Sequence, residues 1–363
     1  MSYTNGLDTP KLFFDTLTWT GDGSTSLEVN GLSFQPDWVW TKLKSHANDH
    51  YLVDSVRGVN KKLESDETAV ELVDDTYGYL TSFDNDGFTA QKGSGVFYNF
   101  NSSADEFVSW CWKAGTSFTN DASATGVGDI DSSGSVNTTA GFSIVSYTGN
   151  GTSGTEVAHG LGSTPDLYIT KSRSYAYHWG LYHKDIADNK GFLWDKSDAV
   201  YTGTGFRNST APTSSVFTLG GGSQAYRYTA NKSSETYIGY FFKSVKGYSK
   251  ISSFTGNGNA SGTYIHCGFR PAWVLIKRTN AAGTSWVTHD NKRNSFNPAD
   301  ERIWTDLSNA AATSSSYDID FTSGGFKLRN TNSLVNASGA PYIYMAFAES
   351  PFVNSNGVPT NAR

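Results

Sequence analysis

The sequence predicts an all-β protein built from three tandem β-sandwich domains of jelly-roll or lectin-like type, each of about 100 residues. Three observations carry that expectation. One unit is written three times: WTGDGSTSLEVNGLSFQPDWVWTKLKS from Trp19, YTGNGTSGTEVAHGLGSTPDLYITKSR from Tyr147 and FTGNGNASGTYIHCGFRPAWVLIKR from Phe254. Aromatic residues make up 14% of the 363 residues and charged residues only 17%, with Ser, Thr, Asn and Gly separating short runs of Tyr, Phe, Val and Trp. Helical periodicity is absent, and turn residues recur about every 8 to 12 positions, as in sandwiches and barrels.

Each unit opens on a turn at Gly21, Gly149 or Gly256 followed by Asp or Asn and a second Gly. Gly tolerates positive φ and Asn or Asp can bond its own backbone, so the triplet suits a tight reversal between strands. Pro36, Pro165 and Pro271 then lead into DWVWTK, DLYITK and AWVLIK. Pro cannot donate to a ladder and belongs at a strand entrance, with the alternating apolar residues after it facing a core. Matching second strands follow (HYLVDSVRG, HWGLYHKD, SWVTHDNKR), placing Asp54, His183 and Asp290 at corresponding positions. Segments aligned through Phe88, Phe217 and Phe326 precede the closing strands FVSWCWKAG, YIGYFFKSV and YIYMAFAES.

These alignments divide the chain into repeat 1 (1–114), a Gly/Ser/Thr-rich linker or surface strap (115–141), repeat 2 (142–246), repeat 3 (247–352) and a polar tail (353–363). The short KSVKGYSK connection implies that repeats 2 and 3 are packed together, with repeat 1 free to sit farther away. The amino terminus MSYTNGLDTPKLFF has no basic start and apolar core of a secretory signal, and no apolar run reaches the ~20 residues that span a bilayer. A net charge of −6 supplies no counterion-release drive toward nucleic acid, and Lys61–Lys62 is too small a basic cluster to change that. The two cysteines, Cys111 and Cys267, fall at non-equivalent places and read as reduced, packed thiols. Asn-x-Ser/Thr triplets at Asn101, Asn137, Asn208 and Asn336 reflect composition.

No residue is assigned to catalysis, a cofactor or a metal. Asp84 and Asp86 resemble the start of a calcium loop but lack its remaining ligands, so the stretch reads as a hairpin turn. Asp74–Asp75 and the pair Asp318 and Asp320 read as loop or wet-face acids. His50, Asp54 and Arg57 form the most chemical-looking trio. Asp290 and Arg293 repeat its acid and base, whereas His183 replaces the acid in repeat 2, a pattern that suits a structural Asp–Arg pair tying a turn to its strand. One stretch, YAYHWGLYHKD, is dense in aromatic residues, and Tyr175, Tyr177, His178 and Trp179 are the candidate contacts for a glycan or partner.

The phrases PDWVWTKLKS, LVDSVRG, LTSFDNDGF, SWCWKAG, TTAGFSIVSYTGNG, GYSKISSFTGNG, GFRPAWVLIKR and MAFAESPFVNSNGVPTNAR run over nearly the whole chain. With them the chain resembles the repeat-built virion structural proteins, tail-fibre-like or head-decorating, of marine tailed bacteriophages. The resemblance implies a non-enzymatic part of the virion surface, made in the host cytoplasm. Its implied partners are other capsid or tail proteins, and it would be present as a symmetric homo-oligomer or in many copies. It carries over no catalytic residue. A host-polysaccharide-binding adhesin is the alternative, and a polysaccharide depolymerase a more distant one. Heptads and collagen-like runs are missing, which favours a compact docked protein over a self-trimerising fibre.

Overall fold

Strands of the first repeat show how the architecture follows from side-chain alternation. The strand Trp38–Leu43 is buried along its whole length. Successive side chains point to opposite faces, so Trp38 and Trp40 enter one core while Val39 enters another. Its neighbour Glu106–Trp112 behaves alike, sending Trp110 and Trp112 one way and Cys111 the other. A sheet covered on both faces needs continuous apolar runs, which is why SWCW and DWVW lack polar alternation.

The computed structural model describes residues 7, 9–73, 76–95, 100–222 and 225–348. It is all-β, and among the described residues the strand ladders are antiparallel, with one isolated parallel bridge between Ile130 and Val157. Its two α-helices among the described residues, Ala122–Thr125 and Ser333–Asn336, are single turns. Each repeat contributes one large sheet in which its first strand pairs with its last, the last with the Pro-anchored strand, and that with the next. In repeat 1 the order is Phe14–Thr20, Glu106–Trp112, Trp38–Leu43, Tyr51–Asp54. Equivalent registers place Asp54 opposite Trp38, His183 opposite Leu167 and Asp290 opposite Trp273. A small second sheet covers the outer face of each: Leu27–Asn30, Gly87–Gln91 and Tyr79–Asp84 in module 1, Glu156–Ala158 and Val216–Thr218 in module 2, and Tyr264–His266, Gly325–Leu328 and Ile319–Thr322 in module 3.

Between its two sheets each module has its own core, built around Phe88, Phe217 or Phe326. The inner faces of all three large sheets meet in a fourth core that belongs to no single module. It holds Trp38, Trp40, Trp110 and Trp112 from module 1, Leu167, Ile169, Tyr240 and Phe242 from module 2, and Trp273, Leu275, Met345 and Phe347 from module 3. Rings cross every boundary. Trp38 stacks on Tyr240 at 4.4 Å, Phe14 on Phe347 at 4.9 Å, and Phe192 meets Trp286 edge-on at 5.4 Å. Repeat 1 is therefore packed as closely as the others, contrary to the expectation that it sits apart. The shared apolar face is what holds it.

The tract 115–141 is not a linker. Thr116–Asn120 and Ser132–Asn137 pair with each other, and the second pairs with Phe142–Thr148, extending the module 2 sheet to eight strands. Asp121 caps the short helix between them by accepting from the Ala124 N–H, and Gly126 ends it with φ 67°. The strands carry few apolar side chains because they lie at a sheet edge. Small residues are required there: a Cβ at Gly134 would lie 1.9 Å from the Ile144 carbonyl oxygen.

The triplicated turns also differ from expectation in detail. Positive φ belongs to the second glycine of each triplet, at 73° for Gly23, 75° for Gly151 and 65° for Gly258. The first glycine is there for space, since a Cβ on Gly21 would fall 2.0 Å from the Ser102 oxygen. A buried Asn clamps each turn. Asn101 donates to Asp22 and Ser24, Asn231 accepts from the Asn150 and Gly151 N–H groups, and Asn336 accepts from the Asn257 N–H. Asn101 and Asn336 are thus inaccessible as modification sites. Asp74–Asp75 and the tail 353–363 lie outside the described residues.

Candidate functional site

The acid–base trio of the sequence proves to be a lock between modules. Asp54 first ties its own turn, accepting from the Val56 and Arg57 N–H groups and pairing with Arg57 Nε at 2.5 Å. Arg57 also donates through Nη2 to the Leu52 carbonyl. Tyr240 of module 2 then reaches across and donates its hydroxyl to Asp54 Oδ2 at 2.8 Å. The same lock joins modules 1 and 3, where Trp110 donates through Nε1 to Asp290 Oδ2 at 3.1 Å and Arg293 Nε pairs with that carboxylate. Both pairs are wholly buried. Burial opposes the Arg57 charge, but the adjoining Asp54 carboxylate holds its pKa above the ordinary value.

The third position of this cycle has His183 for the acid and Met345 for the aromatic donor. Burial lowers the His183 pKa to about 4, with Asp185 pulling the other way, so the ring is neutral near pH 7. His50 takes no part in the lock: its Nδ1 receives the Trp40 indole N–H at 2.9 Å, and its Nε2 lies 3.0 Å from the Trp304 carbonyl of module 3.

Three lysines that the sequence analysis passed over repeat the cyclic pattern. Lys42, Lys171 and Lys277 end the Pro-anchored strands and are fully buried. Lys42 donates to the Asn48 carbonyl of its own loop at 2.6 Å and to the Ser308 carbonyl of module 3 at 3.0 Å. Lys171 donates to Tyr177 at 2.5 Å and to Thr68 of module 1 at 2.9 Å. Lys277 donates to the Thr284 carbonyl, and the Thr284 N–H donates in turn to Ser197 of module 2. Burial pushes each ammonium pKa down to about 8 against the pull of nearby acids, Asp66, Asp195 and Asp306 among them. The signal was legible as the K closing DWVWTK, DLYITK and AWVLIK. The lysine-bearing strand ends join all three pairs of modules and the acid–base locks join two of them, so the three modules form a closed pseudo-threefold body.

The four candidate contact residues separate in the structure. Trp179 is fully buried in the shared core and donates its indole N–H to the Glu64 carbonyl at 2.8 Å, which removes it from any ligand surface. It lies at the entrance of the strand Gly180–His183, whose Leu181 enters the same core. His178 is held by the buried Asp195 carboxylate, Nδ1 to Oδ2 at 2.6 Å. Tyr175 and Tyr177 are half-buried, near-parallel rings 6.2 Å apart, and each meets Tyr228 edge-on, at 5.6 and 5.5 Å. Tyr228, distant in sequence, belongs to the turn Arg227–Thr229, entered through Tyr226 at φ 62°. The Lys232 ammonium lies 3.8 Å from the Tyr175 ring centre and pairs with Glu235 at 2.7 Å.

Other candidates are committed to structure. Asp84 to Asp86 make a hairpin turn, with Asp84 accepting from the Thr89 hydroxyl. A groove of about 670 Å³ beside the added hairpin is lined by Asp129 and Asp131. Asp129 binds the Glu156 N–H and Asp131 the Ala122 N–H. Cys111 and Cys267 are free and buried, the Cys267 thiol being pushed up to about 12 by burial. Among the described residues no three His, Cys, Asp or Glu side chains are grouped to hold a metal ion, and no helix is long and apolar enough to cross a membrane.

Fold and seams together define an all-β protein of three sandwich modules joined through one core. The chain belongs to the family described as a domain of unknown function, DUF7483, which matches residues 9–351. That match spans all three modules as one unit. No curated protein matches the chain.

Proposed function

We propose that this protein is a non-enzymatic structural component of a tailed-phage virion surface, a head decoration or a tail- or fibre-associated part that serves display and attachment. The observation that supports the reading is the closed ring. Side chains that in an enzyme would be candidates for acid–base chemistry are spent on holding three modules rigidly together, which suits a body that transmits load and presents loops. The sequence resemblance to phage virion proteins supplies the context, with capsid or tail proteins as partners and many copies per particle. Antibody labelling of purified particles, imaged by electron microscopy, tests this: stoichiometric labelling at one location is expected. Recovery solely from infected-cell cytosol overturns it.

A second reading, an attachment protein that binds host polysaccharide, is favoured by the tyrosine group on module 2. On either reading, incubation with host capsular polysaccharide releases no new reducing ends. Their release would identify a depolymerase instead.

A further inference from the structure

We infer that Tyr175, Tyr177 and Tyr228 form a binding platform for a neutral saccharide, an inference that rests on the attachment reading and gives it a site. The first support is that the bonds tying these positions to the seam and the neighbouring strand come from the backbone. Tyr177 serves the seam through its carbonyl, which accepts from Lys171; Asn48 in module 1 and Thr284 in module 3 serve Lys42 and Lys277 in the same way. Tyr228 serves through its carbonyl too, accepting from Tyr237, and Ser333 accepts from Tyr342 at the matching place in module 3. The loop from Lys171 to Trp179 has the length of that from Lys42 to His50, which places His46 where module 2 has Tyr175. Module 3 has Thr284 and Ser333 at the positions of Tyr177 and Tyr228, whereas module 1 has His46 at that of Tyr175 and Tyr98 at that of Tyr228, so the three tyrosines occur together only in module 2.

The second support is how the rings are held. Tyr226 enters the Tyr228 turn in the left-handed region, at φ 62°. A bulky residue in that region is strained, and such strain persists where surrounding structure enforces it, often at ligand sites. Thr170 from the Pro-anchored strand fastens the turn by donating to the Thr229 carbonyl, while the Tyr175 N–H donates to Ser172 Oγ. The platform is therefore preorganised, which lowers the ordering cost of binding.

The third is chemistry. The face of a pyranose carries a set of weakly positive C–H groups that match the negative face of an aromatic ring, while its hydroxyls seek donors and acceptors around the edge. Ser174, Lys232 and Glu235 supply that edge, and they are already joined, Lys232 to Glu235 and Ser174 to Glu235 at 2.6 Å. Lys232 and Glu235 cancel in charge within the rim, and Arg227 adds a guanidinium 4.1 Å from the Tyr228 ring centre that donates to its hydroxyl at 2.6 Å, so neutral and acidic hexasaccharides are compared directly.

The test offers the purified full chain laminarihexaose, cellohexaose, mannohexaose and an alginate hexasaccharide at millimolar concentration, read by saturation-transfer NMR and titration calorimetry. The comparison protein carries Tyr175→Ala, Tyr177→Thr and Tyr228→Ser, residues of the size module 3 tolerates; Tyr228→Ser alone serves if the triple variant fails to fold. Binding of at least one neutral hexasaccharide, weakened tenfold or more in the folded variant, is expected. Binding of none, binding of alginate alone, or equal binding by the variant overturns the inference. A virion protein that binds the wild type but not the variant, with no sugar bound, makes the surface a protein interface and overturns it too. Host-cell adsorption that survives the triple substitution leaves the attachment reading standing without this site. Absence from particles removes that reading whatever the sugars do.

Discussion

Two of the three module boundaries are closed by a buried Asp–Arg pair that receives an aromatic donor from the next module, and the third has His183 and Met345 at the equivalent positions. The fold at these boundaries is otherwise alike, with the same strand order and the same register. Hence the ion pair is one solution to a packing problem and not a condition of the fold. A buried pair contributes little net stability over an apolar replacement, yet removing one partner strands the other charge away from water. The charged and uncharged boundaries should therefore respond in opposite ways to mutation.

The largest effects should come from the shared core and the charged locks. Trp38→Ala is expected to cost about 3–5 kcal/mol, and all three modules should still melt in one transition. Separate calorimetric transitions would show that the modules are not one cooperative body. Asp54→Ala leaves Arg57 buried without its carboxylate and should also cost about 3–5 kcal/mol, read from urea midpoints at constant slope. His183→Leu, the corresponding change at the uncharged boundary, should cost less than about 1.5 kcal/mol at pH 7. Equal losses at the two boundaries would erase the distinction.

Acid sharpens the same comparison. The folded pKa of His183 is about 4 against an ordinary 6.5, so between those values the unfolded chain binds the extra proton. Its contribution is present above pH 6.5 and is lost as pH falls toward 4, by at most about 3 kcal/mol at 1.36 kcal/mol per unit. His183→Gln should flatten the fall in stability across that window. Denaturant midpoints at pH 7 and 4.5 measure the difference.

Smaller effects belong to the edge of module 2. Gly134→Ala drives a Cβ into the Ile144 carbonyl and should cost about 1–3 kcal/mol. Hydrogen exchange should speed up along Ser132–Asn137 and leave the shared core protected; exchange as fast in the wild type would return the tract to a loose strap. Smallest of all, Tyr228→Ser should cost about 0.5–1.5 kcal/mol, because it removes the ring contacts with Tyr175 and Tyr177 while the carbonyl keeps its bond to Tyr237.

Much of this was legible in the chain. Three copies of one phrase placed the strands, and the recurrence of Asp54 and Asp290 with a basic partner marked them as architectural. The double burial of the large sheets was also present, in DWVW and SWCW, where polar alternation fails. Other features left no such trace. The hairpin in 115–141 is rich in Ser, Gly and Thr, and at Gly134 the close backbone of the paired strand leaves no room for a side chain. The aromatic-rich stretch at Tyr175 looked like one surface, but Trp179 enters the shared core at the start of the next strand, and the third half-buried tyrosine, Tyr228, comes from another turn.

By itself the sequence determined the unit: its strands, its Gly-Asn-Gly turns and the pairing order that three copies share, all consequences of local backbone preference and period-two burial. Only the tertiary structure decided that three such units close into a ring. Each module leaves one large sheet with a bare apolar face, and three such faces lose contact with water together. Once they do, lysines and acids that look like surface chemistry in one dimension are carried into the seams, where a neighbouring module supplies the hydrogen bonds that water no longer can.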